Sequence, residues 1–318
     1  MTSTVAVLVE HRGSDIAQPA YEALTLARTI GRPVAVWMGE EPPVDAVTAL
    51  AEYGAEEVRV LAIGELARHP KTAAAALAGA TGDAALVLMV STFANKEIAT
   101  RLALATRAGV VVDASGAQMV DGRIEAQQTV FAATWNVRTR INADRAIVAL
   151  RPNTTKAEPA ANAGAAEVVG VLVVLPQVRE TLVSVTPVTR EDGVPLSEAA
   201  IVVAGGRGTS GDYTLVRELA DVLGGAVGAT RDATDEGWIS HEHMIGQTGV
   251  TVTPALYVAC GISGAVHHRG GMQASGTIVA VNIDPDAPIF EIADFGVVGD
   301  LNDVIPQAIA ALKAHRGA

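Results

Sequence analysis

Two glycine-rich turns in the last third of the chain each follow an apolar run directly. The first is Val202-Val203-Ala204-Gly205-Gly206-Arg207-Gly208-Thr209-Ser210-Gly211-Asp212. It reads as a strand, a turn and the start of a helix. Glycines let backbone N–H groups come close to a phosphate, and a helix N-terminus favours the negative charge. Arg207 could add a two-pronged contact to the same anion. The pattern matches neither the dinucleotide fingerprint nor the phosphate loop, whose lysine is missing. A purely structural turn is the competing reading. The second turn is Cys260-Gly261-Ile262-Ser263-Gly264-Ala265-Val266-His267-His268-Arg269-Gly270-Gly271-Met272, after Tyr257-Val258-Ala259. Ser263 is a candidate N-cap, which would leave a second set of N–H groups exposed. His267 and His268 are neighbours and point ~100° apart on a helix, so they do not suit one metal, which would prefer i, i+4 spacing. One of them could face a ligand.

Three further segments carry polar groups at the ends of apolar runs. In Val227-Gly228-Ala229-Thr230-Arg231-Asp232, a hydroxyl and a guanidinium stand where α/β sheets place ligands. Arg231 could equally be a solvated residue paired with Asp232 or Asp235. In Ile245-Gly246-Gln247-Thr248-Gly249, two glycines bracket an amide and a hydroxyl, either hydrogen-bonding groups for a ligand or a polar turn. In Ile278-Val279-Ala280-Val281-Asn282-Ile283-Asp284-Pro285, Asn282 could read a nucleotide edge or cap a turn. Asp300 suits an N-cap before Leu301 and the final helix, and could also accept from a ribose hydroxyl. Together these polar strand ends suggest a long ligand with a phosphate bridge and polar heads. No Ser–His–Asp order, acid/base carboxylate pair or zinc spacing points to covalent or hydrolytic chemistry, and no metal site is expected.

The elements that must position these residues alternate. Strands are expected at Val5–Val9, Pro33–Met38, Val58–Ile63, Ala85–Val90 and Val110–Val112. Helices are expected at Ala17–Ile30, Val44–Tyr53, Thr72–Ala80 and Lys96–Arg107. Apolar strands alternating with helices call for a parallel sheet covered on both faces. From Ala117 to about Arg190 the helices disappear, with strands at Gln128–Phe131, Ala146–Leu150 and Val168–Leu175 and a loop at Asn153–Ala166. A second α/β series follows: strands at Ala200–Ala204, Ala226–Ala229, Ala255–Ala259 and Thr277–Asn282, with helices at Asp212–Leu223, from Ser263 and at Asp300–His315. The expected fold class is therefore α/β, an N-terminal parallel-sheet domain (1–195) followed by a doubly wound ligand-binding domain (196–318).

Composition agrees with this. The chain has 318 residues, enough for two domains, and 49% hydrophobic residues, mostly small aliphatics, since aromatics are 3%. The formal net charge is −12 without a Lys/Arg run to reverse it locally, so nucleic acid is an unsuitable partner. A single cysteine, Cys260, excludes an internal disulfide framework and suits a reducing compartment. With neither a basic-apolar leader nor ~18 uninterrupted apolar residues, the expectation is a soluble cytoplasmic protein.

In this order, the segments from Ala200 to Pro306 resemble the α subunit of electron-transfer flavoproteins. The resemblance rests on Gly246-Gln247-Thr248-Gly249, Gly261-Ile262-Ser263-Gly264-Ala265, Asn282 with Asp284-Pro285, Ala287-Pro288-Ile289-Phe290, Ala293-Asp294-Phe295-Gly296 and Gly299-Asp300-Leu301. The first ~190 residues match mainly in pattern. The resemblance implies one FAD, held mainly by the C-terminal domain, and a heterodimer whose β subunit completes the fold and holds AMP. It implies a redox carrier rather than an enzyme. Such a carrier takes electrons from flavin dehydrogenases, such as the acyl-CoA dehydrogenases of fatty acid β-oxidation, and delivers them to a membrane quinone oxidoreductase. Carried over by position, Arg207, Thr230 and Ser263, Gly264, Ala265 and Val266 would hold the pyrophosphate and nearby atoms. Ile245, Gly246, Gln247 and Thr248 would lie by the isoalloxazine, with His267 close by. Arg231 would sit over the ring and His268 near its pyrimidine edge. Asn282, Asp300 and Leu301 would hold the adenosine end. Positive charge or hydrogen-bond donors at Arg231, His268 and Thr248 would tune the flavin.

The chain departs from that pattern at three places. Thr230 stands where the family usually has Ser, His267 where it often has Gln, and Arg269-Gly270 where it has Leu-Ala. An electron-bifurcating member, whose β subunit holds a second FAD in place of AMP, is the nearest alternative. A nucleotide-binding regulatory protein fits the N-terminal pattern but leaves the C-terminal blocks unexplained. A nicotinamide dehydrogenase lacks its fingerprint.

Overall fold

The computed structural model describes residues 3–131, 133–184 and 194–316. The stretch 185–193, which the sequence places at the end of the N-terminal domain, lies outside the described residues. The chain divides into two compact units. One holds the described residues up to Gln128 and from Asn136 to 184; the other holds the described residues of 129–135 and those from 194 on.

In the first unit the elements run β1 (Thr4–Leu8), a small hairpin of β2 (His11–Arg12) and β3 (Asp15–Ile16), α1 (Gln18–Ile30), β4 (Arg32–Met38), α2 (Val44–Glu52), β5 (Glu57–Leu61), α3 (Pro70–Ala80), β6 (Ala84–Val90) and α4 (Phe93–Thr106). Then come β7 (Gly109–Val120), β8 (Arg123–Val130), β9 (Trp135–Arg140), β10 (Ala146–Leu150) and β11 (Glu167–Gly170). Nine strands form one sheet in the order β11-β5-β4-β1-β6-β10-β7-β8-β9. The pairings from β11 to β7 are parallel, and β7 with β8 is antiparallel.

Strand periodicity explains why both faces of the central strands β4, β1, β6 and β10 are dry. Val5, Val7 and Val9 point into one core with Leu24, Trp37 and Leu50, while Ala6 and Leu8 point into another with Leu61, Leu77 and Leu102. The alanines of α3 let it lie close against its neighbours: Ala73, Ala74, Ala76 and Ala80 are all buried. The structure corrects two expected strands. The strand expected at Val110–Val112 runs on to Val120, because β7 leaves its parallel neighbour and continues as a hairpin. The strand expected at Val168–Leu175 is paired only over Glu167–Gly170. Beyond it Val171, Val173 and Leu175 pack on the α3–α4 side of the core while Leu172 and Val174 face outward, so the alternation there records packing on helices rather than sheet pairing.

The second unit contains β12 (Ile201–Gly205), α5 (Thr214–Leu223), β13 (Ala226–Ala229), α6 (Arg231–Asp235), β14 (Leu256–Cys260), α7 (Val266–Met272), β15 (Thr277–Asn282), β16 (Phe295–Val298) and α8 (Leu301–Arg316). Its five strands are all parallel, in the order β13-β12-β14-β15-β16. This is the 2-1-3-4-5 order of doubly wound sheets, whose direction of winding reverses between the first and third strands. Here that switch point lies between the ends of β12 and β14. Val203, Val258 and Val281 pack beneath α5 and α8, whereas Ala204, Tyr257, Ala259 and Ala280 face Ile245, Val252 and Ile289. Among the described residues, no helix is long and apolar enough to cross a membrane.

Candidate functional site

The two glycine turns meet at the switch point. Gly206 N–H donates to Cys260 O at 3.0 Å and Gly208 N–H donates to Gly261 O at 3.0 Å. A Cβ on Gly208 would stand 2.6 Å from Gly261 Cα, so neither turn accepts a larger residue at that crossing. Above the crossing a cleft of about 920 Å³ opens at the carboxyl ends of the strands. That lies within the range of small-molecule and cofactor sites, ~300–1,000 Å³.

The glycine turns and the polar strand ends singled out in the sequence contribute to its wall, whereas the blocks 287–290 and 293–296 do not. Arg207 follows β12, Thr230 and Arg231 follow β13, Gln247 and Thr248 lie on the loop before β14, Ser263 and Ala265 follow β14, and Asn282 ends β15. Ile245, Gly246, His267, His268, Asp300 and Leu301 also line it. Gly264 and Val266 do not line the cleft themselves. A Cβ on Gly264 would stand 2.4 Å from Ile289 N, and this glycine holds φ +86°, a left-handed conformation that other residues resist. It lets the 261–265 turn dock where Ile289 N–H donates to Ser263 O at 3.0 Å. For this reason α7 begins at Val266 and not at Ser263: its N-cap position is Ala265, without a side-chain cap. The N–H groups of Ser263, Gly264 and Ala265 donate to no protein acceptor among the described residues.

Individual side chains settle several open readings. Thr230 Oγ1 is buried without a hydrogen-bond partner, a polar atom awaiting one. Arg231 is paired with Asp235, Nε to Oδ2 at 3.1 Å, and Arg207 Nε lies 3.2 Å from Asp232 Oδ2. Asn282 is committed to the protein: Nδ2 donates to Ile262 O at 2.9 Å and Oδ1 accepts from Asp284 N–H at 3.0 Å. It caps a turn and braces the 261–265 loop. Asp300 is the N-cap of α8, with Oδ1 accepting from Asn302 N–H at 2.8 Å. Leu301 is buried in the core, where its Cδ2 would lie 3.1 Å from a Cβ on Gly261.

The two histidines divide as their spacing requires. His267 is exposed on the cleft wall, its Nδ1 2.9 Å from Gln247 Oε1. His268 is buried, with Nδ1 3.1 Å from Ile245 O and Nε2 2.8 Å from the Tyr257 hydroxyl. A carbonyl can only accept, so Nδ1 carries the proton and Tyr257 O–H donates to Nε2. Burial pulls the His268 pKa down to about 4. His268 is therefore neutral near neutral pH, and both ring nitrogens are engaged inside the protein. Its work is to tie the 245–249 loop to α7. Glycines on α7 make room for that loop: a Cβ on Gly271 would stand 2.4 Å from Gly246 N, and one on Gly270 2.7 Å from Gln247 Cγ. Arg269 is accommodated by Glu291, Nη1 to Oε2 at 2.9 Å. Burial raises the Cys260 thiol to about 12, which leaves it un-ionised in the core beneath α5 and α8.

The sequence reading did not assign Asp232, Asp235, Met244, Ile283 or Asn302 to the site, yet all five line the cleft. Acids beside arginines look like solvated pairs in a sequence. Ile283 is 70% exposed just past β15, a position that only the folded chain reveals. Among the described residues, no group of three His, Cys, Asp or Glu side chains is arranged to hold a metal ion.

Residues 5–174 match the electron transfer flavoprotein domain, and residues 195–273 match the electron transfer flavoprotein FAD-binding domain. The electron transfer flavoprotein subunit alpha of Mycobacterium leprae is 42% identical over 98% of this chain and 98% of its own. The chain belongs to the electron transfer flavoprotein α-subunit family. The family relationship extends to the subunit alpha of Bacillus subtilis, 35% identical over 98% of each chain. It also includes Protein FixB of Clostridium saccharobutylicum, 32% identical over 97% of this chain and 96% of that one. The matched FAD-binding domain, residues 195–273, lies within the second α/β unit.

Proposed function

We propose that the chain is the FAD-holding half of a heterodimeric electron carrier of the cytoplasm, its domains dividing near residue 195. Its β subunit completes the fold and holds AMP. The pair accepts electrons from flavin dehydrogenases, acyl-CoA dehydrogenases among them, and delivers them to a membrane quinone oxidoreductase. The observation that carries this reading is the crossing of Gly208 and Gly261 beneath a cleft whose wall bears an unpartnered buried hydroxyl and two arginines. FAD fits those features: its pyrophosphate needs close backbone approach, hydroxyl donors and positive charge.

In this reading Thr230 Oγ1, Arg207 and the free N–H groups of Ser263, Gly264 and Ala265 hold the pyrophosphate, with Val266 beside them. Gln247 and Thr248 present an amide and a hydroxyl to the isoalloxazine, and Ile245, Gly246 and His267 wall it. Arg231 places positive charge against the ring. Asp300 offers its second carboxylate oxygen to the adenosine end, where Asn302 and Leu301 lie. Asn282 and His268 act from behind, holding the two loops that shape the cleft. FAD, when bound, supplies the uptake and release of electrons; the protein supplies orientation, charge and exclusion of water.

The test is an absorbance spectrum of the chain produced with its β subunit, recorded during stepwise reduction with cofactor analysis. Flavin bands near ~450 nm and a single FAD per heterodimer are expected. A second FAD on the β subunit would make it an electron-bifurcating member. A colourless pair without affinity for FAD would overturn the reading.

A further inference from the structure

We propose that Asp232 and Asp235 are positioning residues for the two arginines of the cleft, each paired with a guanidinium on its Nε side, Asp235 by a hydrogen bond and Asp232 by an ion pair, which leaves the Nη groups for the cofactor. The inference rests on the FAD reading above. Both carboxylates stand on α6, yet the arginines come from different loops: Arg207 follows β12, and Arg231 opens α6 after β13. Asp232 Oδ2 lies 3.2 Å from Arg207 Nε, and Asp235 Oδ2 accepts from Arg231 Nε at 3.1 Å. A guanidinium has one donor at Nε and two pairs at its Nη atoms. Neither arginine makes another side-chain hydrogen bond or ion pair among the described residues. Both Nη forks are therefore unclaimed, and a fork is the edge that matches two oxygens of a phosphate.

Charge alone argues against these acids. They line a cleft meant for an anionic ligand, and each opposes it by simple Coulomb repulsion. All four side chains are substantially exposed, so the pairs are not needed to neutralise a buried charge. What remains is geometry. A long arginine in water samples many rotamers, and a carboxylate at Nε biases it toward the paired ones. Mounting both carboxylates on one helix also fixes the distance between the two forks. His241 Nε2, 3.9 Å from Asp235 Oδ1, borders the second pair on its outer side.

The two roles have opposite signs, which makes the proposal testable. Asp232→Asn keeps the shape and removes a negative charge. If the acid merely repels, FAD binds more tightly; if it positions Arg207, FAD binds more weakly, by about fivefold, the scale of an exposed ion pair. The measurement is titration of FAD, followed by flavin fluorescence, into the deflavinated full chain with its β subunit, with melting of each apo variant as the folding control. In an Arg207→Ala background the same Asp232→Asn change is expected to tighten binding, because only repulsion is left. Asp235→Asn with and without Arg231→Ala is expected to repeat the reversal. Tighter or unchanged binding by Asp232→Asn in the parent, or equal weakening in both backgrounds, overturns the positioning role. A parent protein that takes up no FAD overturns the flavin reading itself, whereas FAD uptake without the sign reversal overturns only this inference.

Discussion

His268 is a neutral hinge pin rather than a source of charge. Its pKa falls from an ordinary 6.5 to about 4, chiefly through burial. Between those values the unfolded chain holds a proton that the folded chain refuses, so stability falls as pH drops from about 6.5 towards 4. The expected slope is ~1.4 kcal/mol per pH unit from this group. His268→Gln should flatten that part of the profile in urea unfolding measured across the range; an unchanged slope would assign the acid sensitivity elsewhere. Arg231 acts in the other direction. Its exposed guanidinium sits on the cleft wall, and charge there favours an added electron on a bound flavin. Arg231→Ala is expected to lower the potential of the first electron by tens of millivolts, where ~59 mV is a factor of ten. Potentiometric titration of the holoprotein checks this, and an unmoved potential would remove the role.

At the scale of elements, the site is two loops braced against each other and against the segment that follows β15. Gly264 shows how tightly. It combines φ +86° with a backbone nitrogen 2.4 Å from where a Cβ would stand, whereas Gly237 has φ +73° and open space around it. Gly237→Ala should cost about 1 kcal/mol of left-handed strain and Gly264→Ala about 2 kcal/mol or more, because the latter adds a collision with backbone. Denaturant midpoints of the two variants would separate strain from collision, and equal losses would show that the 261–265 turn can give way. The strands that carry these loops were legible in the sequence, because runs such as Ile201–Gly205 and Thr277–Asn282 are apolar and bounded by glycine or asparagine. The start of α7 was not. Ser263 has the chemistry of an N-cap, but Gly264 and the docking of Ile289 on Ser263 O delay the helix to Val266. Nor could the sequence separate His267 from His268: two adjacent histidines on a short, glycine-containing helix look alike until Tyr257, on the strand beneath, claims one of them. The pairing of Arg207 with Asp232 was equally hidden, since it joins the turn after β12 to α6, which only the sheet order brings together.

At the scale of the whole molecule, the two units have separate cores, and the cleft belongs to the second alone. FAD at a hundred times its dissociation constant should stabilise that unit by about 2.7 kcal/mol. Hydrogen exchange with and without FAD should show slower exchange in β12, β14 and α7. Equal protection of β1 and β6 would mean that the units unfold as one. The first unit carries a different consequence, one of timing. β10, near residue 150, lies between β6 and β7, which both precede it in the chain. A nascent chain leaving the ribosome therefore exposes two strand edges with a gap one strand wide, and nothing encoded earlier can fill it. β6 and β7 cannot be joined in one sheet until residues 146–150 emerge, so their facing edges stay without their native partner until then, the kind of surface that chaperones guard.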